Sequence, residues 1–458
     1  MQLDRFQIQE QSSLRDALAK IENNHLGLIF ALDKNGAVSG LATDGDIRRK
    51  LLEGALLEDT IASCINADFL WENHDISRES LIKKLDNRIR VIPLLDENRY
   101  LVDIVSRDHI PSVSEDALIT RARAPVRISF GGGGSDLTHF FNDENGAVIN
   151  TTISIYSHAT MRLRDDNKII VKSFDLGETL KADNLDAALN WNGQFMLMKA
   201  LLKAVRPDFG FELEVKSDFP MKSGLGGSSV VSAAILGCFN QFRRDSWNLH
   251  EIAELAFQAE RLHMGIQGGW QDQYATVFGG FNFMEFRARE NIVHPLRIHQ
   301  NTLLELEECL VLCDTGTKHE SGDIHADQEV QMQEEKIRQQ IRANIELSYQ
   351  MRNRLLRGKL SDFGQLLDKA WQYKRQFSTK ISNSYLDNIY EDARKHGALG
   401  GKLMGAGGGG FFIFYVPPFY RNELQEHLIA RGLKIQPFRF ESNGLQTWQV
   451  RQPQNKSA

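Results

Sequence analysis

The stretch "KSGLGGSSVVSAAILGCF", residues 222–239, decides how the rest of the chain is read. Its glycines have the look of a phosphate cradle, yet neither common nucleotide pattern fits. A Walker loop places lysine after the glycines and just before Ser or Thr, whereas the lysine here, Lys222, precedes them; a dinucleotide fingerprint needs a third glycine where Ser229 stands. The physical logic is still that of an anion site. Gly224, Gly226 and Gly227 allow close backbone approach, and the apolar run from Val230 reads as a helix whose first amides have no intrahelical acceptor.

Two further glycine clusters flank this one in the chain: "RISFGGGGSDL" (127–137) and "KLMGAGGGGFFIFY" (402–415). The first follows an alternating strand pattern, Val126 to Phe130, and the second opens into a Phe/Ile/Tyr run that reads as a buried strand. Any one cluster alone could be a hairpin or a tight packing contact. Three of them, each at the mouth of a regular element, point to one shared site.

The chain has 458 residues and 42% hydrophobic content, enough for two to four domains with real cores. A formal charge of −6 offers no electrostatic footprint for nucleic acid and favours small-molecule partners. The amino terminus, "MQLDRFQIQEQSSLRDALAK", lacks a signal-peptide layout and no apolar run approaches a bilayer span, so a cytoplasmic protein without membrane partners is expected. Cys64, Cys238, Cys309 and Cys313 form no CxxC pair or zinc-type cluster and read as buried thiols. His250, His263 and His299 show no ligand spacing either.

The first quarter of the chain is a repeat. "LGLIFALDKNGAVSGLATDGDI" (Leu26–Ile47) lies on "IRVIPLLDENRYLVDIVSRDHI" (Ile89–Ile110), each copy reading as helix, strand, turn, strand and a further helix. This resembles a tandem pair of cystathionine-β-synthase-type (CBS) repeats, which implies a regulatory nucleotide as partner and a tendency to homodimerise. In the first copy Thr43 and Asp46 match that family's hydroxyl and ribose-binding acid, ahead of Arg48 and Arg49. In the second, Ser106 matches Thr43, but His109 stands for Asp46 and Asp103 for Gly40. The plainer reading of Asp46 is a helix cap.

From about Ile119 to Val450 the chain resembles the GHMP kinases, the superfamily of galactokinase, homoserine kinase, mevalonate kinase and phosphomevalonate kinase. The pattern Pro-x-x-x-Gly-Leu-Gly-Ser-Ser-Ala is matched without a gap from Pro220, with Gly227 at the first serine, and the other two glycine clusters stand in the family's order. "RAPVRISFGGGGSDL", "GWQDQYATVFGGFN" and "GALGGKLMGAGGGGFFIFY" are most similar to the branch containing D-glycero-D-manno-heptose 7-phosphate kinase. That resemblance implies ATP and Mg2+, transfer to an anomeric hydroxyl and a heptose 1,7-bisphosphate as product, on a route to nucleotide-activated heptose. A different sugar 1-kinase, of hexose or fucose type, and a non-catalytic nucleotide-sensing scaffold are the alternatives.

The same resemblance implies roles. Gly224, Leu225, Gly226, Gly227, Ser228 and Ser229 would cradle the triphosphate, and Ser228 with Glu260 would ligate Mg2+. Asp272 would be the catalytic acid–base group and Arg127 would stabilise the transferring phosphate. Gly133, Gly134, Asp136, Gly405, Gly407 and Gly408 would line the sugar. The chemistry agrees: phosphoryl transfer needs an in-line hydroxyl, charge neutralisation and a divalent metal held by oxygen ligands. Asp272 follows Gly268 and Gly269 at a helix start, where a carboxylate is favoured as an anion and suits the acceptance of a hydrogen bond. Bland readings remain for Glu260, a helix charge paired with Arg261, and for Asp272, an ordinary first-turn acid. Cations for a distal phosphate are sought in Arg123, Lys318, His319, Lys374 and Arg375; in a solvated helix face these would be unremarkable. Ile337, Ile341 and Ile345 repeat at four-residue spacing and mark a buried helix face.

The expectation is an α/β chain with α+β lobes: a regulatory module over 1–113, an ATP-binding lobe over 119–310 and a second kinase lobe over 311–452.

Overall fold

The computed structural model describes residues 3–86, 88–110, 117–191, 193–221, 223–317 and 321–452. It divides into two compact units, residues 1–115 and 116–458.

The amino-terminal unit holds two copies of one small motif. In the first, α1 (Leu14–Asn24) precedes a hairpin of β1 (Leu28–Leu32) and β2 (Val38–Thr43), followed by α2 (Asp44–Leu52). In the second, α3 (Arg78–Lys84) precedes β3 (Val91–Leu95) and β4 (Leu101–Ser106). The copies agree residue by residue: Leu28 pairs with Thr43 and Val91 with Ser106, and the register slips between Ala31 and Leu32 in one and between Leu94 and Leu95 in the other. Each hairpin is closed by an aspartate, Asp33 or Asp96, whose carboxylate accepts amide bonds across the turn. The second copy differs after β4, where residues 107–110 form no helix.

The second unit is built on a nine-stranded sheet. β5 (Ala117–Gly131) and β6 (Gly146–Arg164) form its long central pair, and β7 (Ile169–Ser173), β8 (Glu178–Ala182) and β9 (Gly210–Ser217) extend it on one side. The first half of β6 is buried on both faces and its second half alternates. Helices α4 (Gly227–Asn240), α5 (Leu249–Phe257) and α6 (Gln271–Phe278) pack together over the central strands, and β10 (Phe281–Phe286) and β11 (Asn291–Pro295) follow. α4 is apolar almost all round, as a helix buried in a core must be.

A smaller sheet orders its strands β13–β14–β12–β15, from β12 (Leu310–Asp314), β13 (Gly400–Leu403), β14 (Phe411–Tyr415) and β15 (Lys434–Ile435). The helices α7 (Glu335–Leu356) and α8 (Leu360–Lys374) pack as a pair, and α8 lies on β13. The chain then returns: β16 (Phe440–Glu441) pairs with β6, and β17 (Gln446–Gln452) runs antiparallel to β5. The stretch expected to belong wholly to a lobe over 311–452 therefore gives its last two strands to the first sheet, where β6 offers β16 and β5 offers β17 a backbone edge.

The buried stripe of α7 follows Ile337, Ile341, Asn344, Ser348, Met351 and Leu355. Ile345, expected on that face, is only half-buried. The true stripe passes through the polar Asn344 and Ser348, whose small side chains let the glycine turn after β5 sit against the helix. Among the described residues no helix is long and apolar enough to cross a membrane.

Candidate active site

The start of α4 is open. Gly226 holds the left-handed conformation (φ 79°) as its cap residue and offers no side-chain cap. The first turn closes only with the bond from Val230 N to Gly226 O, 3.1 Å, so the amides of residues 227–229 precede any intrahelical acceptor. Ser228 donates its hydroxyl to Glu260 Oε2 at 2.6 Å, and Gln273 Nε2 donates to Glu260 Oε1 at 3.2 Å. Glu260 is thus buried, a partner of the glycine loop that also lies 3.8 Å from the Arg261 guanidinium. A π-helical turn, Gln258–His263, makes this geometry: the bond from Met264 N reaches back to Ala259 O and widens the helix end. Arg261, the next residue, donates to Ile266 O and Gly269 O at 3.3 Å. Leu225 and Ser229 are buried, and Leu225 belongs to the hydrophobic core, so only its backbone can face a ligand.

Arg127, from β5, grips Asp272 with both arms of its fork: Nε to Oδ1 at 2.8 Å and a terminal nitrogen to Oδ2 at 2.7 Å. Its remaining nitrogen donates to Gly224 O at 2.8 Å. One buried guanidinium therefore ties the first residues of α6 to the glycine loop before α4. A register slip between Ser129 and Gly131 lies just beyond Arg127, where β5 turns into its glycine cluster. There Gly134 N donates to Asp136 Oδ1 at 3.0 Å, and Gln271 N reaches Asp136 Oδ2 at 3.3 Å. Burial, reinforced by the nearby charge of Asp272, pushes the Asp136 carboxyl above its ordinary range, and the amide bonds oppose it.

The third glycine cluster closes on the second. A side chain on Gly405 would stand 2.6 Å from Gly224 O, so the two loops meet backbone to backbone. The three clusters meet through Arg127 and Gly405, and the first and third help to line a cavity with Gly133, Gly134, Asp136, Gly405 and, from α6, Asp272. Gly407 and Gly408 lie apart from it, against Ile381, to whose carbonyl Gly408 N donates at 2.8 Å.

Two buried lysines also line the cavity. Lys402 Nζ donates to Ser129 O at 2.7 Å, and Lys374 Nζ to Leu403 O at 3.4 Å and to Gly405 O. Burial, with Arg127 nearby, brings Lys374 down to about 7; burial, with Lys374 and Arg127, brings Lys402 well below the lysine range, while Asp136 and Asp272 pull both upward. Lys374 was one of the sought cations. Its signal was its place on the apolar stripe Leu360, Phe363, Leu367, Ala370, Trp371 of α8. Lys402 was missed, although a charge inside a buried-strand pattern marks it. Arg375 instead pairs with Asp387 at 3.0 Å, and Arg123 donates to Gln446 in β17 and lies over the Tyr156 ring. Lys318 and His319 lie outside the described residues.

In the amino-terminal unit Thr43 and Asp46 bond to each other. Thr43 caps α2 by accepting from Asp46 N at 3.2 Å, and Asp46 Oδ2 accepts from Thr43 N at 3.0 Å, a complete capping box. Arg49 adds 3.2 Å to Asp46 Oδ1. Partial burial raises the Asp46 carboxyl, and the bonds from Thr43 and Arg49 more than reverse this, leaving it below the usual range. In the second copy His109 N donates to Ser106 Oγ at 3.2 Å.

Comparison with known proteins agrees with this architecture. The GHMP kinases N terminal domain matches residues 195–280, the GHMP kinases C terminal domain residues 351–433, and the CBS domain residues 2–53. Over 336 residues the chain is 35% identical to D-glycero-alpha-D-manno-heptose 7-phosphate kinase of Campylobacter jejuni, covering 72% of this chain and 99% of that protein. It is 26% identical over 371 residues to the L-fucokinase/L-fucose-1-P guanylyltransferase of Bacteroides fragilis, covering 74% of this chain and 37% of that one. The crystal structure of a D-glycero-D-manno-heptose 1-phosphate kinase from Bacteroides thetaiotaomicron superposes with a TM-score of 0.61 at 27% identity, covering 72% of this chain and 99% of that chain. The chain belongs to the GHMP kinase family. It is a carbohydrate kinase of that family, whose sugar kinases use ATP, and it carries a CBS domain at its amino terminus.

Proposed function

We propose that the protein transfers the terminal phosphate of ATP to the anomeric hydroxyl of a sugar phosphate, with D-glycero-D-manno-heptose 7-phosphate as acceptor and the 1,7-bisphosphate as product. The observation that carries this reading is the fork of Arg127 on Asp272, set between the open start of α4 and the cavity holding Asp136. The Campylobacter jejuni relative, a heptose 7-phosphate kinase matched over nearly its whole length, supports the choice of acceptor.

In this reading the backbone of residues 224–229 holds the phosphates of ATP, and Asp136 accepts hydrogen bonds from sugar hydroxyls. Asp272 accepts a hydrogen bond from the attacking hydroxyl, orients its oxygen and takes its proton as the new bond forms. That oxygen forms the new bond to phosphorus as the bond to the β-phosphate oxygen breaks and ADP departs. Arg127 fixes Asp272 and adds positive charge beside the transferring group. The hydroxyl of Ser228 and the carboxylate of Glu260, two hard oxygen donors 2.6 Å apart at the open helix start, fit a magnesium ion. A magnesium ion held there would supply positive charge to the phosphates of ATP.

The kinase lobes are assigned to residues 119–310 and 311–452, the last strands of the second returning to the first sheet. The module over residues 1–113 is assigned a nucleotide-sensing role at Thr43 and Asp46, and the protein a homodimeric state. Offering the purified protein Mg-ATP with heptose 7-phosphate, the free heptose, L-fucose, galactose and hexose phosphates, with phosphorus NMR to locate the new ester, tests the reading. A bisphosphate with its new ester at C1 is expected. Turnover confined to unphosphorylated sugars would defeat the proposed acceptor.

A further inference from the structure

The cavity holds more positive charge than its own carboxylates can meet. Arg127, Arg261, Lys374 and Lys402 line it against Asp136 and Asp272, and of these Arg261 also pairs with Glu260 at 3.8 Å. Asp272 has both oxygens in the Arg127 fork, and Asp136 accepts from two backbone amides. Lys374 and Lys402 are 5% and 1% exposed, and their hydrogen bonds go to carbonyl oxygens and the Ser129 hydroxyl. Among the described residues no carboxylate lies within ion-pair distance of either ammonium. A buried charge without a counter-ion costs several kcal/mol, and two side by side are retained at a cavity when an anion completes them.

Other atoms in the same wall await a polar ligand. Gln271 Oε1 and Arg261 Nε are buried and have no hydrogen-bond partner. The residues offered to ATP at the start of α4, Ser228 among them, are not part of this wall. Lys402 is anchored instead on β5 and lies beside Gly133, in the glycine turn that carries Asp136.

We propose that Lys374 and Lys402 form the seat for a phosphate monoester carried by the acceptor sugar, and so set the preference for a phosphorylated over a neutral sugar. This rests on the reading of the acceptor as a sugar phosphate. A neutral hydroxyl does not favour the charged form of these desolvated amines, whereas a phosphate dianion holds both protonated through short charge-assisted bonds.

Lys374→Met and Lys402→Met, made singly in the full-length protein, test it. Methionine keeps the shape of the stem, and melting temperature together with calorimetric ATP binding reports whether each variant is folded. The readout is the ratio of kcat/KM for heptose 7-phosphate to kcat/KM for the free heptose. This ratio is expected to fall about 100-fold in each variant, the size of effect seen when one partner of a buried charge pair is removed from a complex. The heat of binding heptose 7-phosphate in the absence of ATP should weaken in parallel. An equal fall for both sugars, or a change confined to KM for ATP, overturns the seat. A wild-type enzyme that turns over only neutral sugars overturns the acceptor reading itself, before any variant is made. A wild type that prefers the phosphorylated sugar, with variants that keep that preference, overturns the lysine assignment alone.

Discussion

Helices α2 and α4 both begin at positions the sequence offers for anion binding, and they begin differently. At α2 the chain supplies its own cap: Thr43 and Asp46 exchange bonds with each other's backbone amides, and Arg49 pairs with the acid. At α4 the cap residue is Gly226, which supplies no side chain, and the nearest hydroxyl, Ser228, is turned toward Glu260. The first start satisfies its donors from within; the second leaves amides facing outward and gathers charged groups from β5, α6 and the π-helical turn around them. A ligand at the first start must compete with a cap already in place, whereas a ligand at the second supplies the missing partners.

The largest test of that contrast is Asp272→Asn. It keeps the shape but loses the anion in the Arg127 fork, and kcat is expected to fall about 1000-fold, within the usual range for a positioned acid–base group. Steady-state kinetics with near-normal ATP binding by calorimetry would bear this out; unchanged product formation would remove Asp272 from the reaction. Glu260→Gln should raise the Mg2+ concentration for half-maximal rate roughly tenfold or more, as loss of a metal-site carboxylate does. A magnesium titration of initial rates reads it.

Gly226→Ala follows. The left-handed backbone costs an alanine roughly 1–2 kcal/mol, and its Cβ would stand 3.2 Å from Asp272 Oδ2. We expect kcat/KM to fall on the order of tenfold, comparable to that strain, with a lower melting temperature. At the closed start, Thr43→Ala should cost about 1 kcal/mol of stability through the lost cap, read by denaturant unfolding. If it also abolishes the heat of adenine-nucleotide binding, α2 is a ligand site despite its complete cap, and the contrast narrows.

A separate test is a pH dependence. Lys374, faced by Arg127, Asp136, Asp272 and Lys402, titrates near 7 in the folded protein and near the ordinary lysine value when unfolded. Between those values the unfolded chain binds the extra proton, so this group makes stability rise with pH from about 7 toward 10 and leaves it flat below. Lys374→Met is expected to flatten that rise in unfolding measured across the window; an unchanged slope would assign it elsewhere.

Much of the site is legible because it is local. The glycines of the three clusters, the helix after Gly226 and the place of Asp272 in the first turn of α6 all follow from short-range backbone requirements. The CBS repeat shows in its matched hairpins for the same reason. Ile345 packs against the core from the edge of the stripe, half-buried, because four-residue spacing drifts around a helix and the fully buried line of α7 moves on to Asn344 and Ser348. Arg123 misleads because its partner, Gln446, arrives only when β17 returns to pair with β5. The approach of Gly407 and Gly408 to Ile381 is likewise set by a distant segment.

The sequence by itself determined where the backbone can turn, which helix starts lack a side-chain cap and which superfamily those turns resemble, since each depends on a few neighbouring residues. Tertiary structure alone decided that Arg127 holds Asp272, that Glu260 is a buried partner of Ser228, and that Lys374 and Lys402 stand desolvated in one wall. Desolvation and charge proximity depend on which distant segments exclude water together, and no local pattern records that.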